Sequence, residues 1–196
     1  MSGFSDMGTH GPPLCGVFFR AMPRGLIRYQ QTGDLHFITF SCYRRQACLG
    51  AAAPRELFES ALARIGRRYN LVVTGYVVMP EHVHLLLSEP RKGLLARAIQ
   101  ALKLSVSVRR AERPFWQARY FDSNVHDEKE RAQVLRYIHR NPVKRGLVEK
   151  PEDWAWSSYR HYATGAAGTV VIESKWTAFR RGNRLPDGWE VQKNVG

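Results

Sequence analysis

Two histidines one residue apart, His82 and His84, open an apolar run directly after the turn Met79-Pro80-Glu81. In an extended strand alternate side chains share a face, so both imidazoles project together while Glu81 and Val83 project from the other side. Two neutral imidazoles on one face can share a cation. Zn, Mn, Fe or Ni suits them directly, and Mg suits them when phosphate and amide oxygens complete the shell. The same pair on a half-buried strand can equally serve packing.

A second constellation lies in Val134-Leu135-Arg136-Tyr137-Ile138-His139-Arg140-Asn141-Pro142. On a helix, Tyr137 and Asn141 fall on one face a turn apart. Pro142 biases Asn141 away from helical backbone, so the helix is expected to stop there. A tyrosine in this setting is either a packing residue with its hydroxyl hydrogen-bonded or a nucleophile. The second role is chemically open because a phenolate attacks phosphorus well once a metal polarises the phosphate. His139 points elsewhere on the helix and reads as structural.

The elements that must position these residues follow from periodicity and composition. Residues 35–43 are β-branched and aromatic and read as a strand. His36 at its start, beside Phe37, is read as structural rather than as a ligand. Arg44 and Arg45 follow the strand as phosphate contacts or plain surface charge. Residues 54–69 carry Leu57, Phe58, Ala61, Leu62 and Ile65 at helical spacing. Residues 71–78 read as a strand that returns through the Met79-Pro80-Glu81 turn, making a hairpin with the histidine strand. A second helix spans about 94–111, with Leu95, Ile99, Leu102 and Val106 on one face and Arg97, Lys103, Arg109 and Arg110 on the other. Residues 115–122 read as a further strand, in which Trp116 and Phe121 belong to the core and the aromatics beside Arg119 could stack on unpaired bases. The third helix is expected over 127–140. The aromatic run 154–162 is expected to pack back on the body. Residues 1–25 read as a disordered extension, 26–162 as the functional domain and 163–196 as an irregular tail.

The chain has 196 residues, 44% of them hydrophobic, which suffices for one domain with a real core. Its 30 Lys and Arg against 17 Asp and Glu give a formal net charge of +13, spread along the chain. That excess points to a polyanionic partner, most simply nucleic acid. No apolar run is long enough to cross a bilayer, and Leu14 to Phe19 lacks the basic flank of a signal peptide. Three cysteines without CxxC spacing fit neither a disulfide scaffold nor a zinc ribbon, so a reducing cytoplasm is expected.

Met79-Pro80-Glu81-His82-Val83-His84-Leu85-Leu86 together with Tyr137-Ile138-His139-Arg140-Asn141-Pro142-Val143-Lys144-Arg145-Gly146-Leu147 resembles the signature pair of the single-tyrosine HUH transposases. The branch it is most similar to is the REP-associated tyrosine transposases. Further matches are His36-Phe37-Ile38-Thr39-Phe40, the run from Trp116 to Asp122, and Trp156-Ser157-Ser158-Tyr159, so the likeness covers roughly residues 22–162. The resemblance implies an α+β, ferredoxin-like antiparallel sheet with helices packed on one face. It implies His82 and His84 as metal ligands with Asn141 as the third, Mg2+ or Mn2+ as the ion, and Tyr137 as the nucleophile. Some relatives carry glutamine where this chain has Asn141. Glu81 stands where asparagine is common, and its outward direction in the strand implies little consequence. The implied activity is cleavage and transfer of single-stranded DNA beside a hairpin, through a 5′-phosphotyrosine, by a nucleoid-associated monomer or homodimer. Arg44, Arg45, Arg109, Arg110, Arg119, Arg136, Arg140, Lys144 and Arg145 are the expected DNA contacts. The alternatives are a non-catalytic hairpin-binding protein of the same fold and a metal phosphodiesterase that uses water.

Overall fold

The computed structural model describes residues 32–111 and 113–181. The expected N-terminal extension, residues 1–25, lies outside them, as do residues 182–196. Nine elements follow in order: β1 (Leu35–Ser41), α1 (Ala52–Tyr69), β2 (Val73–Val78), β3 (His82–Ser88), α2 (Leu95–Ser107), β4 (Phe121–Val125), α3 (Glu128–Lys144), α4 (Tyr159–Thr164) and α5 (Lys175–Arg180). The strands form one antiparallel sheet in the order β2-β3-β1-β4. This is the ferredoxin-like α+β arrangement, with α1 and α2 as the two crossovers.

The two central strands carry nearly unbroken apolar runs because both faces of the sheet are covered. On one face Ile38, Phe40, Val83, Leu85 and Leu87 meet Phe58, Leu62 and Ile65 of α1 and Leu95, Ile99 and Leu102 of α2. Phe40, Phe58 and Trp116 close this core, with the Phe40 and Trp116 rings 5.0 Å apart in an edge-on contact. Each fully buried side chain of this size contributes roughly 1.5–3 kcal/mol through the apolar surface it hides. On the opposite face Phe37, Val77 and Leu86 meet Val134 and Ile138 of α3. The expectation of helices on one face therefore holds for α1 and α2, while α3 takes the other side. It does so because its stripe of Val134 and Ile138 needs an apolar surface and the first face is already filled.

Two segments differ from expectation. The strand anticipated at 115–122 begins only at Phe121, and before it the chain is irregular, with a bridge between Trp116 and Cys42 just beyond β1. Phe115 and Trp116 are consecutive yet both buried in the same core, which strand alternation does not allow. The segment after residue 163, expected as an irregular tail, packs against the body at Val170 and Ile172. Val170 and Ile172 are buried in the first core, and the Glu173 amide donates to the Val73 carbonyl at 2.9 Å. Together with the Val78 amide donating to Trp156, also at 2.9 Å, this covers the outer edge of β2.

The helix α3 starts at an N-cap, where the Asp127 carboxylate accepts from the Glu130 amide at 2.7 Å. It does not stop before Pro142 but runs through it to Lys144. Proline removes one donor near the end of a helix, where the loss is easily borne. The stop comes from Gly146, at φ 65°, whose amide donates to Val143 at 2.9 Å while the Leu147 amide donates to Pro142 at 3.0 Å. That is a Schellman closure, and it keeps Asn141 inside the helix.

Candidate active site

The register of β3 against β1 sets the two histidines: His84 lies opposite Thr39 and His82 opposite Ser41. Both imidazoles are buried and face α3, with their Nε2 atoms 3.0 Å apart. The Thr39 hydroxyl sits 2.7 Å from His84 Nδ1, so the Nδ1 edge is occupied and Nε2 is turned toward its neighbour. Burial first, then His82 and Arg45, pushes His84 well below the ordinary imidazole range, so it is neutral at pH 7. The Nδ1 of His82 lies 3.1 Å from Glu81 Oε1.

From above, α3 lowers Tyr137 and Asn141 onto this pair. Val134 and Ile138, on the same side of the helix, anchor it to Phe37, Val77 and Leu86. The Tyr137 ring lies 5.1 Å from the His84 ring and 6.0 Å from the Phe37 ring, centre to centre. Phe37 in turn stacks on His84 at 5.6 Å, so the three rings form one packed cluster. The Asn141 amide nitrogen is 3.1 Å from His84 Nε2, and its oxygen Oδ1 is buried without a hydrogen-bond partner.

These residues fit a divalent ion. Two ligand nitrogens held by bonds of about 2.1 Å at roughly a right angle end about 3.0 Å apart, which is the Nε2 separation found here. Among the described residues no cluster of three His, Cys, Asp or Glu side chains could hold a metal, so a third protein donor must be of another type. The orphaned Asn141 oxygen is such a donor, since buried polar atoms are seldom left unpaired. A half-turn of the amide exchanges its two ends without moving the helix.

Glu81 departs from expectation. It belongs to the turn before β3, where strand alternation does not apply, and its carboxylate swings back to His82. The same Oε1 lies 3.0 Å from Arg145 and 3.8 Å from Arg45. The His82 hydrogen bond and the Arg145 charge hold this carboxyl at about 2, against the desolvation that burial brings. Neither Glu81 nor Thr39 was legible as part of the site. Thr39 becomes so only once the strand register is known.

The basic residues divide by location. Arg45 and Arg145 flank Glu81, and the Lys144 ammonium lies 5.5 Å from the Tyr137 ring centre. Arg44, at φ 50°, occupies the same tight turn as Arg45 after β1. Arg136 and Arg140, one turn apart, line an open groove of about 520 Å³ beside α3 together with Glu149, Lys150, Glu152 and Tyr159. Arg109 and Arg110 follow the end of α2, the helix on the opposite face, and exposed Arg119 sits in the irregular run before β4. His36 also faces the opposite side, 2.8 Å from Asp122 and 3.4 Å from Glu89, and takes no part in the site. His139 is structural as expected: its Nε2 is 2.9 Å from the Ser158 hydroxyl, and burial pushes it down to about 4.

A ferredoxin-like sheet that sets a histidine pair beneath a helix-borne tyrosine and asparagine is the arrangement implied by the HUH transposase resemblance. The family model described as "Transposase IS200 like" matches residues 30–141, more than half of the chain, and the chain belongs to that family. A Haemophilus influenzae protein with the provisional name REP-associated tyrosine transposase is 30% identical over 117 residues, spanning 52% of this chain and 66% of that protein. The REP-associated tyrosine transposase of Escherichia coli is 23% identical over 159 residues, 81% of this chain and 96% of that one. Among solved structures, a REP-associated tyrosine transposase bound to a REP hairpin matches with a TM-score of 0.65 at 22% identity, over 78% of this chain and 93% of the other. That likeness establishes the shared fold.

Proposed function

We propose that the protein is a metal-dependent single-stranded DNA endonuclease and strand transferase that cleaves beside a DNA hairpin through a 5′-phosphotyrosine. The observation that carries this reading is the approach of Tyr137 to His84, at 5.1 Å between ring centres, within one chain. Residues 53 positions apart in sequence meet where a phosphate could touch both, and no second copy is needed to bring the tyrosine round.

His82, His84 and Asn141 would hold Mg2+ or Mn2+, which when bound supplies positive charge to the scissile phosphate. Tyr137 forms the bond from its phenolic oxygen to phosphorus, and the bond from phosphorus to the 3′-oxygen breaks. The phenolic proton passes to solvent or a substrate group, and the departing oxygen takes one up as a free 3′-hydroxyl. Because the new ester keeps the phosphodiester count unchanged, a second 3′-hydroxyl can reverse the step without ATP. Lys144, Arg145 and Arg45 surround the reacting position and suit the flanking phosphates. Arg136 and Arg140 suit the backbone of the adjoining hairpin. The REP hairpin on the solved relative supports a hairpin substrate for this chain, and a protein acting on such a substrate would work at the nucleoid, in the cytoplasm.

A labelled single-stranded oligonucleotide carrying a hairpin, incubated with Mn2+, tests the proposal. A covalent protein–DNA adduct that disappears in Tyr137→Phe is the expected result. Free cleavage products without an adduct indicate a water-using phosphodiesterase, and binding without cleavage indicates a recognition module.

A further inference from the structure

We infer that Glu81 is a positioning residue of this site, fixing His82 in the one tautomer that offers Nε2 to a metal and tying it to the end of the helix that carries Tyr137 and Asn141. The inference rests on the metal reading proposed above and assigns a role to a residue that touches no substrate.

An imidazole offers a lone pair at only one nitrogen when neutral, and which one is set by the hydrogen bond at the other. A glutamate carboxylate accepts hydrogen bonds rather than donating them, so the 3.1 Å contact to His82 Nδ1 places the ring proton there. His82 Nε2 is then a free lone pair aimed at His84 Nε2, 3.0 Å away. Were Glu81 absent, the proton could move to Nε2 and satisfy the neighbouring imidazole, blocking the ligand position. Carboxylate–histidine pairs of this kind orient the ring and raise its basicity toward a bound metal.

The carboxylate has a second connection. Arg145 reaches Glu81 Oε1 at 3.0 Å through its side chain, while its backbone amide donates to the Asn141 carbonyl at 3.0 Å. One residue thus links the turn of α3 that bears Asn141 to the anchor of His82. Glu81 keeps its side chain 11% exposed whereas those of Arg45 and Arg145 are about half exposed, so the carboxylate is the fixed member and the guanidinium groups close over it. Phosphate entering the site can engage the outward edges of those guanidinium groups without displacing the Glu81–His82 contact.

The test compares full-length wild type with Glu81→Gln and Glu81→Ala, neither bound to DNA. Titration with Mn2+ alone should show affinity falling at least about tenfold in Glu81→Ala, the lower end of what such partners contribute, and less in Glu81→Gln, which keeps an acceptor oxygen. Nitrogen NMR of the metal-free protein should show His82 protonated at Nδ1 in wild type and shifted toward Nε2 in Glu81→Ala. Glu81→Gln carries the comparison should the alanine variant not fold. Unchanged Mn2+ affinity in the Glu81 variants, or an Nε2-protonated His82 in wild type, overturns the inference. If His82→Ala and His84→Ala lose Mn2+ while the Glu81 variants keep it, this inference alone falls. If those histidine variants also bind Mn2+ like wild type, the metal reading fails and takes the inference with it.

Discussion

At the scale of single residues, the site consists of a few polar atoms whose free valences face one another inside an apolar shell. Thr39 holds His84 as Glu81 holds His82, and replacing Thr39 by valine keeps the volume while deleting the 2.7 Å contact. Thr39→Val is expected to fold normally and to lose about tenfold in Mn2+ affinity, read by titration of the purified protein. His139 carries a different consequence. It is buried neutral and titrates at about 4, below the unfolded histidine value of 6.5. Between those values the unfolded chain binds a proton that the folded chain refuses, so stability falls as pH drops through that window, by about 3 kcal/mol in total. Urea midpoints at pH 7 and pH 4.5 should differ less in His139→Gln than in wild type. Spacing on a strand or a helix fixed that His82 and His84, and Tyr137 and Asn141, each share a face, while the family resemblance implied their roles. Glu81 was misjudged because that rule ends where the strand ends.

Among the elements, α3 decides whether the site exists, because it alone brings Tyr137 and Asn141 to the histidines. Its seat depends on a close approach at Gly75, where an added Cβ would lie 2.5 Å from a terminal methyl of Leu135. Gly75→Ala should therefore lift or tilt α3, at a cost of about 1 kcal/mol since the methyl can partly swing aside. Adduct formation should suffer more than stability, because small displacements of reacting groups are costly. Restoring the rate with Leu135→Ala in the same chain would confirm the cause, read as melting temperature alongside adduct yield. The helices α1 and α2 were readable from their apolar periodicity and the hairpin from its turn, whereas the short α4 and α5 were not expected. β4 was not, since Phe121-Asp122-Ser123-Asn124-Val125 is polar and short, while the aromatic stretch before it looked more strand-like. The end of α3 was misplaced for a related reason: Pro142 is a conspicuous break signal, but Gly146 makes the actual stop.

For the whole molecule, the net charge of +13 is spread along the chain, and part of it meets the site where α3 ends, with Lys144 and Arg145 at the site and Arg136 and Arg140 along the neighbouring groove. Hairpin binding should weaken steeply with salt, and Arg136→Ala with Arg140→Ala should lower the slope of log affinity against log salt by about 2, measured by fluorescence anisotropy at several ionic strengths. The charge was plain from composition, but its division between the two faces of the sheet was not, because it depends on which side α3 chooses. Tyr137 is proposed to be the nucleophile that takes the DNA. Mass spectrometry of the adduct formed on a single-stranded hairpin oligonucleotide with Mn2+ reads this directly. One modified peptide is expected, with a 5′-phosphorylated nucleotide on Tyr137. A nucleotide on any other residue, or an adduct that persists in Tyr137→Phe, would contradict it.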